Sequence, residues 1–128
     1  MIDKYTKYFI ICIVFIGVLA SISTFSTENT QYRKLIHEAV LSNNISATKF
    51  LIKHGANINC KYKHNHTLLH SAALYGDIEM VKTLVQSGAE LSKNDFGLSA
   101  IDSASDNNNS DVVEFLVRYY DSLDRMYE

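Results

Sequence analysis

Three imidazoles fall within seven residues in His64-x-His66-x-x-x-His70, and Asp102 stands beside Ser103 and close to Ser105. These are the side chains that could do chemistry. Zinc needs three or four ligands converging on one point, each ring oriented by a further partner. His70 opens an apolar helical stretch, whereas His64 and His66 precede it in a loop, so no metal site is expected. Nucleophilic catalysis needs a base within reach of the hydroxyl, and no His is spaced to serve Ser103 or Ser105. There is no Gly-rich phosphate loop. The sequence predicts no catalytic residue, no cofactor and no small-molecule substrate. Of the two cysteines, Cys12 lies in an apolar run as a small hydrophobe. Cys60 would be left alone if that run were removed, and is expected to be at least half-buried.

The elements around His70 carry more information. Thr67 can cap a helix start, followed by the apolar stripe Leu68, Leu69, Ala72 and Ala73, whose small alanines admit a close neighbour. Gly76 breaks the chain, and Asp77 can cap a second helix bearing Ile78, Val81, Leu84 and Val85. Gly88 supplies the left-handed stop. Asn44 and Ser110 are placed to take Asp77's part in flanking copies. Parts of this unit recur: His37 and His70, Ala39 and Ala72, Ile45 and Ile78, Leu51 and Leu84, Gly55 and Gly88, and Ala56 and Ala89 all stand 33 residues apart. Matches at one offset, in register, signify stacked units that bury a continuous core only together.

The middle unit, Thr67-Leu-Leu-His70, Ala72-Ala73, Gly76, Ile78-Glu-Met-Val-Lys82, Leu84-Val85 and Gly88-Ala89, closely resembles the ankyrin repeat, with Leu68 in the place of the family's Pro. A weaker copy precedes it (Lys34-Leu-Ile-His37, Ala39, Asn43, Phe50-Leu-Ile52, Gly55-Ala-Asn-Ile-Asn59). Another follows, shifted to 32 residues (Gly97-Leu-Ser-Ala-Ile-Asp102, Ala104, Asn108, Val112-Val113, Phe115-Leu-Val117), with Asp102 in the place of the His. The resemblance implies an all-α solenoid of helix-turn-helix units joined by hairpin-like loops, with repeats at about 31–63, 64–95 and 96–121 within 28–122 and a C-terminal tail at 123–128. It also implies a non-catalytic protein-interaction module whose loop tips and concave helix face meet the partner. Matched position by position, those residues are Lys61, Tyr62, Lys63, His64, His66, Leu74 and Tyr75, then Asp95, Phe96, Leu98, Asp106 and Asn107. Tyr62 is expected to be exposed at its loop turn.

Residues 1–27 are a different object. Asp3, Lys4 and Lys7 precede an apolar core from Phe9 to Ala20, followed by Ser21, Ser23, Thr24, Ser26 and Thr27. This is the pattern of a secretory signal peptide, with cleavage contexts at Val18-Leu-Ala20 and Ser21-Ile-Ser23. The charge-free span from Tyr8 to Thr27 would also just cross a bilayer as a retained hydrophobic helix. Either reading puts the repeats outside the cytoplasm, exported or tethered through residues 8–27. Charge is polarised. Residues 30–63 hold six bases against Glu38, whereas residues 77–128 hold eleven acids against four bases. The acidic half argues against nucleic acid, and no nucleic-acid motif appears. Another protein is the expected partner. A membrane-anchored scaffold and a degenerate fragment of a longer array are the alternatives.

Overall fold

A computed structural model describes residues 30–75 and 77–128; the hydrophobic leader of residues 1–27 and the break at Gly76 lie outside the described residues. Helix α1 covers residues 30–41, α2 Ile45–Lys53, α3 Leu68–Tyr75, α4 Ile78–Gln86, α5 Ala100–Asp106 and α6 Ser110–Met126. A 3₁₀ turn, Lys63–Asn65, lies between α2 and α3. Within the units α3 closes on α4 and α5 on α6; between units α3 packs on α5, and α4 packs on both α2 and α6. The result is a two-layered all-α solenoid of helix-turn-helix units. Among the described residues no helix is long and apolar enough to cross a membrane.

Local chemistry starts and stops each helix. The Asp77 carboxylate accepts the Met80 N–H at 2.9 Å, and the Asn44 side chain accepts that of Ala47 at 3.0 Å. At α5 the capping is reciprocal: Asp102 accepts the Ser99 N–H at 2.7 Å, while Ser99 Oγ accepts the Asp102 N–H at 3.4 Å. Such caps satisfy donors that the first turn leaves free and are worth about 1 kcal/mol each. The α6 cap is Asn109, not Ser110, because the third unit is one residue shorter than the second and Ser110 is already helical. Asn109 makes no cap bond; its amide instead donates to the carbonyls of Ala73 at 2.9 Å and Leu74 at 3.1 Å in the preceding unit. Helix α6 runs on to Met126, so most of segment 123–128 is its last turn.

The second helices end alike. Gly88 has φ +98°, its N–H donates to Val85 O at 3.1 Å, and the Ala89 N–H reaches Leu84 O at 3.0 Å. Gly55 repeats the pattern with Ile52 and Leu51, while Asn43 and Asn108 take the left-handed position after α1 and α5. A Cβ at Gly88 would meet nothing within 4 Å, so only backbone conformation demands glycine there. Gly88→Ala is accordingly expected to destabilise the fold by about 1–2 kcal/mol, the cost of a left-handed L-residue, as measured by urea unfolding.

The core follows the periodicity. Ile36, Leu68, Leu69, Met80, Val81, Leu84, Val85, Val112 and Leu116 are essentially inaccessible, with Ala72, Ala73, Ala100 and Ala104 letting the first helices approach closely. Each large apolar side chain taken fully out of water contributes about 1.5–3 kcal/mol. No buried side-chain polar atom among the described residues lacks a hydrogen-bond partner.

Candidate binding surface

Two loop tips build the surface. Between α2 and α3 the chain doubles back: Tyr62 N–H donates to His66 O at 2.7 Å, and Lys61 bridges Thr67 in antiparallel fashion. His64 and Asn65 form the turn with φ +59° and +57°, the two successive left-handed residues that a tight hairpin turn requires. Between α4 and α5 the buried Asn94 organises the loop. Its side-chain oxygen accepts the N–H groups of Phe96 and Leu98, both at 3.0 Å, and Gly97 takes φ +75°.

The tips lie side by side. Asp95 N–H donates to His64 O at 3.0 Å, the Asn65 amide donates to the Asp95 carboxylate at 2.5 Å, and the Phe96 and His64 rings tilt together at 5.3 Å. Lys61, Lys63, His64, Asp95, Phe96 and Leu98 are thus brought to one end of the stack's inner layer, all exposed. His66 is half-buried behind them, its Nε2 at 3.2 Å from the Asn94 amide. A second group gathers at the far end of α3, about 12 Å away along an eight-residue helix. There Tyr75 is exposed, Leu74 is half-buried, and Asn107 is fixed beside them by donation to Leu74 O at 2.6 Å, next to exposed Asp106.

Tyr62 departs from expectation. It is half-buried, stacked on His37 at 4.3 Å with the Arg33 guanidinium 5.5 Å over its ring. Its hydroxyl donates to Arg33 O at 2.7 Å and accepts from the buried Cys60 thiol at 3.1 Å. Burial and that thiol hydrogen bond push its pKa up from the usual value. An aromatic ring in the loop's aspartate position finds apolar cover against α1, so it closes the seam between units instead of facing solvent.

His70 is the polar centre of the seam. Its Nδ1 accepts from Thr67, with the hydroxyl at 2.9 Å and the backbone N–H at 3.3 Å. That fixes the proton on Nε2, which donates to Leu98 O at 2.9 Å in the next unit. Burial lowers its pKa and outweighs the opposing pull of the Leu98 carbonyl; the nearby His66 lowers it further. Both ring nitrogens are occupied, so the His64–His66–His70 run does not converge. Among the described residues no group of three or more His, Cys, Asp or Glu side chains is placed to hold a metal ion. Asp102, beside Ser103, spends its carboxylate on the α5 cap, whose donors hold its pKa below the usual range.

Sequence reasoning missed other exposed apolar side chains, namely Leu35, Leu41, Phe50 and Val117. Their register was visible, since Leu35 stands 33 residues before Leu68, but exposure depends on which units have neighbours.

A search of curated proteins finds no match to this chain. The family described as ankyrin repeats (3 copies) matches residues 36–126, well over half of the sequence. Helix pairs in two layers, hairpin tips in register and the Thr67–His70–Leu98 link all agree with that match: the chain belongs to the ankyrin repeat family.

Proposed function

We propose that this ankyrin-repeat chain is an exported or membrane-tethered module that binds one partner protein through its loop tips and the exposed side of α3. Ankyrin repeats are generally protein–protein interaction modules. The observation that carries the reading is exposure of large aromatics on a built surface: Phe96 is 64% and Tyr75 67% exposed. Phe96 rides on a loop pinned by Asn94, so little freedom remains to be lost on binding. Rigid aromatic anchors of this kind dominate interface energetics. Lys61 and Lys63 make the middle tip basic, which suits a partner with acidic groups near an apolar pocket.

Export or tethering rests on residues 1–27, where a short charged start precedes the apolar core Phe9–Ala20. The 20-residue charge-free span from Tyr8 to Thr27 favours a scaffold at the bilayer as the second reading.

Tyr75→Ala/Phe96→Ala should leave the circular dichroism and unfolding midpoint close to wild type. Each truncation should weaken partner binding by about 2 kcal/mol or more, roughly 30-fold. Affinity capture with the full chain, wild type against the double variant, tests this. Proteins retained by the wild type and lost with the variant support the surface; identical retention by both rejects it. Mass and membrane partition of the chain made in a secretion-competent cell test the leader. A soluble product shortened by about 20–23 residues supports export, and an intact membrane-extracted product supports tethering. An intact soluble product rejects both.

A further inference from the structure

The two end faces of the stack are apolar where a terminal repeat needs polar cover. Leu35 occupies the register of Leu68, yet it is 52% exposed where Leu68 is 0%; Phe50, in the register of Thr83, is 60% exposed. At the other end, Val117 stands eight residues after its cap, as Val85 does, and is 42% exposed where Val85 is 2%. Leu35, Ala47 and Phe50 line a groove of about 370 Å³ between α1 and α2. Val113 and Val117 line one of about 830 Å³ between α5 and α6.

In the middle unit these positions are buried because a unit lies on each side. The two end faces are therefore the unmatched halves of one interface, the same interface that joins each repeat to the next. Their charges are opposed: Lys34, Lys49 and Lys53 belong to the α1/α2 end, and Asp106, Asp111, Glu114 and Asp121 to the α5/α6 end. Groove charges match as well. Glu38 lies in the first groove and Arg118 in the second, where Arg118 is held by Glu114 at 2.7 Å.

We propose that the occupant of each end face is a second copy of this chain, the α5/α6 end of one seated on the α1/α2 end of the next. Such a contact is head-to-tail and does not close, so it builds open chains and not only dimers. It uses neither the loop tips nor Tyr75, so it stands or falls apart from the partner surface described above.

Sedimentation velocity of the full chain in non-ionic detergent tests this with Phe50→Asp and Val117→Asp, both at exposed positions and checked for folding by circular dichroism. Wild type should form a concentration-dependent series extending past dimer. That series should shrink as salt rises from about 0.01 M to about 0.15 M, where the screening length falls from roughly 30 to 8 Å. Each variant alone should sediment as a monomer. An equimolar mixture of the two should form a dimer that grows no further, because one intact head meets one intact tail. Association through residues 8–27 would be the same in all four samples and would overturn the proposal. So would a wild type that stays monomeric, or a mixture that behaves like its components.

Discussion

His70→Ala is expected to lower unfolding stability by about 2–4 kcal/mol, the sum of a small cavity and a carbonyl left without its donor. The ring is 1% exposed and links Thr67 to Leu98 across the boundary between two units. A stack of this size has about 5–15 kcal/mol in hand altogether, so the variant should sit near the edge of folding at physiological temperature. His70→Gln keeps an N–H donor aimed at Leu98 O and should recover part of the loss. Urea unfolding monitored by circular dichroism distinguishes the two variants; equal stability of wild type and His70→Ala would refute the role given to the ring.

The same residue sets a pH dependence. Burial holds its folded pKa below the ordinary 6.5, so the unfolded chain takes up a proton more readily than the folded one. The stabilisation is complete above about 6.5 and drains away as pH falls from there toward the lowered folded value. His37, also lowered by burial and only partly offset by Glu38, adds a slope of the same sign. Asp102 acts in a separate window. Its depressed carboxyl stabilises the fold above about 3.8, and that contribution is lost only as pH drops below it. Melting temperature should therefore fall between pH 7 and 5 in the wild type and less steeply in His70→Gln.

Much of the fold was legible because its signals are local. Asp77, Asn44, Gly55 and Gly88 act on neighbours within five residues, and the structure uses each as the spacing implied. Periodicity then placed the core, since Leu51, Leu84 and Leu116 bury one side of each second helix. What escaped depends on contacts about 30 residues apart. Tyr62 reads as a solvent-facing loop residue until Arg33 and His37 are brought beside it. Asn109 looks like a cap by type, yet its amide is claimed by carbonyls of the previous unit. The candidate surface was legible as a set of tip positions, but not as two groups held apart by the length of α3. Pairing of Phe96 with His64 depends on the stagger between loops, which the sequence does not print.

Leu84→Ala should be the most damaging single truncation, at about 3 kcal/mol within the 2–5 kcal/mol range for fully buried leucines. Leu84 is 0% exposed, on the helix that packs against both α2 and α6. A cavity there weakens the middle unit's own core and the helix through which the flanking second helices are joined. Stability in a stack is close to a sum of unit and interface terms, so loss at the centre reaches every neighbour. The whole chain should still unfold in one transition with an unchanged urea slope and a lower midpoint. Val117→Ala is the control, measured where the chain is monomeric: its side chain is half in solvent at an end, and surface truncations usually change stability by about 0.5 kcal/mol or less. With eight tyrosines and no tryptophan, circular dichroism and tyrosine fluorescence are the two probes to compare. Coincident transitions with a large shift for Leu84→Ala and a small one for Val117→Ala would make the middle repeat the keystone of the stack. A split transition would mean that the flanking units fold without it.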